Sequence, residues 1–475
     1  MKKSMMALLI CVVFIFATAA ASFAAMGEMG LKSKDIDVNF FGSLKTYPSF
    51  THHLSFNDDD QGHDFLIDEN GVGEDHFIRN EIRMGWAGKG ENWSFLIILE
   101  SDFNLNKANC DRGDNEIGDG KTGMSGNSFG VEKLNVTYNF GKFAVETGWN
   151  TKFLDLMTGG LVYGDDHPYI GLFGKVGDNF SWEALYLIIQ DNIDQENPSI
   201  GLLGGDGDSL DWRAYTLKGI YTLDNGFKIS PFYAFSDCEA RDHAQTHYFG
   251  VEGYGKIGMF TPRFEGVYVT GDTNDMDVDA WAAYASCDFN IKKEFVPYIG
   301  VTFRTGDDDG NDDDIEAYNS ITNIARYTPT FGIENAFVYR YNSILGSHLY
   351  ANDFDMLGGS KSGYGGISGS ASANSPGMIS FGAGVKGSID KWSYKTQVMY
   401  FQFEDEGALE DFYGHSIDDE VGTEFDFRFT YKFSNHFSLG NTIAVFVPGD
   451  AIEDLYGNDY DDTGYMDTIE MVWKW

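Results

Sequence analysis

The sequence predicts an all-β fold: a transmembrane, antiparallel, up-and-down β-barrel of about 18 strands (range 16–20). Three observations predict it. Apolar and polar residues alternate with period two in segment after segment. Short, turn-forming connections alternate with long polar ones. Beyond the N-terminus, no apolar run approaches the length of about 18–20 residues that a membrane helix needs.

The alternation is clearest at 424–433. Phe425, Phe427, Phe429, Tyr431 and Phe433 form one face, and Glu424, Asp426, Arg428, Thr430 and Lys432 the other. At 76–87, Ile78, Ile82, Met84 and Trp86 oppose Arg79, Glu81 and Arg83. At 133–140, Leu134, Val136, Tyr138 and Phe140 oppose Lys133, Asn135, Thr137 and Asn139. Phe295, Pro297, Ile299, Val301 and Phe303 share a face at 294–304. In the last segment, 465–475, Ile469, Met471, Trp473 and Trp475 point outward while Thr468, Glu470, Val472 and Lys474 point inward. An aromatic face opposite a charged one fits a lipid-facing wall around a wet lumen, and closing the barrel leaves no unpaired edge in lipid.

Short connections fall at 88–92, 141–142, 177–179, 224–226, 258–259, 292–293, 388–391 and 434–436, rich in Gly, Asn, Asp and Ser as tight hairpins demand. Long ones fall at 57–75, 105–126, 151–165, 191–210, 237–243, 271–276, 306–376, 404–420 and 447–463. Short turns on one side and long loops on the other give an even strand number. The segment 306–376 is open to three readings: one long loop, a pore constriction, or an extra hairpin. Its part 358–375 is Gly/Ser-rich and reads as flexible, while 315–341 reads as partly ordered.

Residues 1–24 read as a secretory signal peptide: Lys2 and Lys3, an apolar core at 5–16, then Ser22-Phe23-Ala24 as a cleavage site. Residues 25–475 form the barrel. Hydrophobic residues are 43%, too many for a disordered chain. The formal charge of −40, from 33 basic against 73 acidic residues, repels nucleic acid. Cys110, Cys238 and Cys287 remain after cleavage; Cys287 alternates outward, and Cys110 and Cys238 fall in expected outer loops, where a disulfide between them is left open. No GxSxG elbow or CxxC pair is present, and the ten His are scattered, so no enzyme and no resident cofactor is expected.

The runs 77–90 and 92–103, the strand 425–433, Phe446-Val447-Pro448-Gly449-Asp450 and the terminal Trp475 resemble Gram-negative outer-membrane porins, and more narrowly the alginate-export-like and delta-proteobacterial porins. The resemblance implies an outer-membrane barrel. It also implies that Trp473 and Trp475, on the last strand, are read by the barrel-assembly machinery. The alginate-export family lines its pore with many basic residues, from which this acidic chain departs.

Parity gives a set of pore-lining candidates: Arg79, Glu81, Arg83, Glu100, Asp102, Lys133, Glu146, Glu252, Arg263, Glu265, Arg304, Lys395, Glu424, Asp426, Arg428 and Lys432. A mixed-charge wall orders water and favours polar solutes. The alternative is that these charges pair across strands and support the wall. The windows 57–75, 306–316, 404–420 and 450–462 carry 29 of the 73 acids and no Lys or Arg. They read as a solvated acidic rim that enriches cations. Carboxylates at Asp307, Asp309, Asp312, Asp459 and Asp461 also suit loop-bound Ca²⁺. The expected function is passive diffusion of small hydrophilic solutes or ions, with a weak cation preference. The expected partners are outer-membrane lipid and lipopolysaccharide, with a homo-oligomer open as a further reading. Two alternatives stand beside it: a polymer export channel, favoured by a continuous basic ladder, and a plugged structural or adhesive barrel.

Overall fold

The computed structural model describes residues 30–32, 37–53, 56, 76–104, 130–155, 160–190, 211–239, 244–273, 276–323, 327–328, 332–333 and 375–475. The predicted signal peptide, loops 57–75 and 105–126, Cys110 and residues 358–374 lie outside them.

Eighteen strands form the wall: β1 (Asp37–His52), β2 (His76–Lys89), β3 (Trp93–Asn104), β4 (Gly130–Asn139), β5 (Phe143–Phe153), β6 (Tyr163–Val176), β7 (Phe180–Gln190), β8 (Trp212–Thr222) and β9 (Lys228–Cys238) in the first half. The second half holds β10 (Ala244–Tyr254), β11 (Phe260–Thr273), β12 (Met276–Phe289), β13 (Val296–Arg304), β14 (Met378–Ile389), β15 (Trp392–Gln402), β16 (Glu420–Lys432), β17 (Phe437–Pro448) and β18 (Gly464–Lys474). Each is antiparallel to its sequence neighbours, and β1 pairs with β18, so the sheet closes. Closure runs to the final residue: Gly42 and Trp475 exchange backbone hydrogen bonds of 3.1 Å in both directions. Below that point β1 has no strand on that side, and Gly30–Lys32 folds back to pair with Asp37–Asn39.

The predicted strand number and the eight short turns are present, while the long loops 57–75, 105–126 and 191–210 lie outside the described residues. The described residues of 306–376 add no strand to the wall, since β13 pairs directly with β14. At 271–276 the chain reverses more tightly than expected, because β11 and β12 run to Thr273 and from Met276. Cys238 is not in a loop; it ends β9, buried on the inner face. Cys287 is on the outer parity of β12, as expected. Two short helices, α1 (Gly407–Tyr413) and α2 (Asp450–Tyr456), stand in stretches read as irregular.

The outer face is apolar and rimmed by rings. At the turn end, Phe140 stacks on Phe143 at 5.0 Å, Phe437 on Trp473 at 5.0 Å, and Trp392 meets Tyr431 at 4.7 Å. Toward the loop end, Tyr215, Phe235 and His247 stack in sequence, and Trp281 lies 4.2 Å from Phe303. Two aromatic girdles around an apolar band match a wall that faces hydrocarbon.

The inner face is not uniformly wet. After β13 the chain turns into the barrel and crosses it as residues 305–323. Asp314–Ile315 pair in parallel with β12, and Thr322–Asn323 pair in parallel with β6, six strands away around the wall. Ile315, Ala317, Tyr318 and Ile321 are buried against inward Ala214, Ala234, Val269, Ala280 and Ala282. These small wall residues leave room for an inserted backbone. A second apolar cluster closes the loop end of β14–β18, where Leu409 of α1 and Ile452 of α2 pack on inward Met399, Phe401, Ala444 and Phe446.

Candidate functional site

The lumen is the candidate site, and its charges are held in place by the concave wall. Glu81 accepts from Lys45 at 2.6 Å and from Arg83 at 2.9 Å, while Arg83 also reaches Glu132 at 3.2 Å and pairs with Glu100. Glu146 accepts from Thr137 at 2.7 Å, from Lys152 and from the Tyr169 hydroxyl. Lys133 donates to Thr151 at 2.8 Å.

Three further bridges skip a strand. Lys218 on β8 reaches Glu252 on β10 at 2.5 Å. Asp288 on β12 accepts Lys386 from β14 at 2.9 Å, and also Arg263 from β11 at 3.0 Å. Arg428 on β16 reaches Glu470 on β18 at 2.8 Å. Second-neighbour strands are roughly 9–10 Å apart. Inside a curved wall, long side chains close that gap where the middle strand carries little bulk. Gly440 of β17 is such a place, since a Cβ there would stand 3.5 Å from a Glu470 carboxylate oxygen.

Of the predicted lining residues, Glu81, Arg83, Glu100, Glu252, Arg263 and Arg428 therefore form ion pairs across strands, while Glu146 pairs with Lys152 on its own strand β5. This is the wall-supporting alternative. Glu265 and Arg304 are inward but covered: Arg304 is 1% exposed, its guanidinium 6.0 Å from the Tyr318 ring centre. Glu424 and Asp426 are buried too, with Gln397 donating to Asp426 at 2.7 Å. Lys432 is exposed at the turn end. Arg79 lies opposite Tyr47, and Asp102 opposite Glu81. Parity missed Lys45, Lys152, Lys218, Asp288 and Lys386, which complete these pairs. Lys386 was readable, because Gly382, Gly384 and Lys386 alternate with Phe381, Ala383 and Val385.

One cluster sets like charges side by side across three strands. Lys386, Lys395 and Arg428 stand directly opposite one another on β14, β15 and β16. They line a cavity of about 540 Å³ at the turn end, together with Lys293, Ser388, Ser393 and Thr430. The Tyr298 ring lies 5.3 Å from both Lys386 and Lys395.

The inserted segment is fastened by carboxylates. Glu404 accepts from the Gly306 amide at 2.7 Å, and Asp307 accepts from the Glu316 amide at 3.1 Å. On the far side, Tyr318 donates to the Leu161 carbonyl at 2.7 Å and Tyr248 to the Asn319 carbonyl at 3.1 Å. Burial, with Asp312 and Glu316 adding to it, pushes the Asp307 carboxyl up to about 7 against its amide donors. Asp308 and Asp309 on the same segment, and Glu404 and Asp405 before α1, add further negative charge nearby. A raised native value means that the docked segment keeps a proton that an undocked carboxylate releases. Docking is therefore strongest at acid pH and weakens as pH rises from 3.8 to about 7. Amide-exchange protection at 315–321, corrected for intrinsic rates, is expected to fall across that window. Asp307→Asn should flatten the dependence.

The carboxylates named for loop-bound Ca²⁺ lie as follows. Asp309 and Asp312 spend their carboxylates on the amides of Asn311 and Asp314, at 3.0 and 2.8 Å. Asp307 is buried and accepts from the Glu316 amide, and Asp459 and Asp461 are exposed. Among the described residues, no three His, Cys, Asp or Glu groups converge to hold an ion.

No family model matches the chain, and no curated protein matches it in sequence, so the narrower alginate-export-like resemblance gains no support. Solved barrels do match in shape. Acinetobacter baumannii OccAB4 is similar at a TM-score of 0.52 and 11% identity, over 94% of this chain and 99% of that one. OccAB2 of the same organism gives 0.52 and 11%, over 92% and 98%. Pseudomonas aeruginosa OccK2, solved in complex with glucuronate, gives 0.51 and 9%, over 92% and 97%. At these identities the likeness concerns architecture: the chain is a closed antiparallel barrel of 18 strands with the shape of the Occ porins.

Proposed function

We propose that the chain is a Gram-negative outer-membrane porin through which small hydrophilic solutes or ions diffuse passively. The observation that carries this reading is the closed wall itself, apolar outside and charged inside, with a chain segment folded inward to narrow it. The Occ porins it resembles in shape give the same reading. The mixed, mostly paired inner charges favour a general solute path over a polymer channel, which would need a longer basic ladder. Trp473 and Trp475 are proposed as the assembly signal, with Trp475 closing the seam on Gly42.

Charge is unevenly distributed along the axis. The loop end carries the acidic runs 306–316, 404–420 and 450–462, whereas exposed Lys89, Lys142, Lys256, Lys292, Lys391 and Lys474 ring the turn end. With a total of −40, the acidic mouth is proposed to set a weak cation preference. Loops of this sign also suit divalent-bridged contact with lipopolysaccharide.

Purified, refolded protein in a planar bilayer under a KCl gradient tests this. Discrete conductance steps with a cation-signed reversal potential are expected. Anion-signed reversal removes the preference. A stably inserted barrel that never conducts supports the structural reading instead.

A further inference from the structure

We propose that the turn-side mouth of the barrel holds a binding site for a small multivalent oxyanion, of the phosphate or sulfate class, formed by Lys293, Lys386, Lys395 and Arg428. The argument starts from register. Lys386 faces Lys395, and Lys395 faces Arg428, on three adjacent strands and one inward face. Like charges directly opposite each other oppose strand pairing. Elsewhere in the described lumen, Arg and Lys mostly meet carboxylates across strands; here three cations are set side by side, in a chain with 33 basic and 73 acidic residues.

The lining chemistry points the same way. The cavity of about 540 Å³ presents four cationic side chains and the hydroxyls of Ser388, Ser393 and Thr430, and no carboxylate lines it. The nearest acids serve the row from its margins. Asp288 holds Lys386 at 2.9 Å and Glu470 holds Arg428 at 2.8 Å, which orients both heads. Glu294 lies 3.7 Å from Lys293, at the rim. Asp426, which accepts from Gln397 at 2.7 Å, adds negative charge behind Lys395.

The spacing then selects the ligand. Neighbouring strands set the cationic heads about 5 Å apart. A tetrahedral dianion offers oxygens to three such heads at once and can also accept from the hydroxyls, whereas a monocarboxylate offers two oxygens and one charge. The cavity has room for inorganic phosphate or a small phosphate ester. It lies on the inner face, so the ligand is a solute in the lumen rather than a lipid headgroup.

The site does not depend on conduction, so binding is read in detergent, and its outcome is separable from the bilayer experiment. The full-length barrel in a phosphate-free, non-ionic detergent is titrated calorimetrically with inorganic phosphate at low ionic strength. One saturable site is expected, with acetate at least about ten-fold weaker. Lys395→Gln and Lys293→Gln should each weaken phosphate by about ten-fold. Lys293 is in an exposed turn, so K293Q keeps the test valid if the inward variant does not fold; heat-modifiable gel migration reports folding. Phosphatidate added to the micelles should not compete. Absence of saturable heat, acetate binding as tightly as phosphate, a folded K293Q binding like the parent, or competition by phosphatidate would each overturn the proposal.

Discussion

Replacing Tyr318 and Ile321 together by serine is expected to raise single-channel conductance several-fold while leaving the barrel folded. Both side chains are fully buried where residues 305–323 cross the lumen. Burying an apolar side chain of this size stabilises by roughly 1.5–3 kcal/mol. Losing two, with the cavities they leave, costs on the order of 4 kcal/mol. That shifts the balance between docked and undocked segment by about a thousand-fold. The wall is untouched, since its strands pair with one another and not with this segment except at Asp314–Ile315 and Thr322–Asn323. Tyr318→Phe is the control. It loses the 2.7 Å bond to the Leu161 carbonyl but keeps the ring, a change of about 1 kcal/mol, and its conductance should stay near the parent. Unchanged conductance in a folded double variant would mean that the segment lies outside the conducting path.

Gly148→Val is expected to prevent the barrel from forming. Gly148 is in β5 with φ +142°, a conformation that valine resists. A Cβ there would overlap the Leu134 carbonyl oxygen and stand 2.7 Å from the Asn135 Cα, both backbone of β4. Neither can yield without breaking the β4–β5 ladder, in which Asn135 faces Gly148. Strain and overlap together cost on the order of 4 kcal/mol or more. Gly266 of β11 is the comparison: nothing lies within 4 Å of its Cβ position, and Gly266→Ala should refold normally. The readout is the heat-modifiable gel band after refolding into detergent. A G148V band as strong as that of G266A would refute the steric argument.

The wall was legible because most strands repeat one simple rule. Phe425, Phe427 and Phe429 against Glu424, Asp426 and Arg428 need only period two, and the turns between strands need only Gly, Asn or Asp. The inserted segment was not legible, since Ile315, Ala317, Tyr318 and Ile321 have neither strand nor helix spacing. Its receiving surface did leave a trace. In 278–285, Val278, Ala280, Ala282 and Tyr284 are apolar on the inward parity while Trp281 and Ala285 are apolar outward. A strand that is apolar on both faces is covered on both faces. The helices were missed for want of length, although Ala451, Ile452 and Leu455 have the right offsets. At the site, parity identified inward charges such as Arg263 and Glu252. Their partners depend on which residues the register brings level, and three of the bridges pass over a strand that contributes neither charge.

Those strand-skipping bridges alter how the wall can come apart. Hydrogen bonding alone would let a sheet peel from an exposed side, each strand leaving independently. Here Lys218–Glu252, Asp288–Lys386 and Arg428–Glu470 each clasp a strand between two others. The clasped strand cannot depart without straining its flankers, so these sectors should separate as triplets.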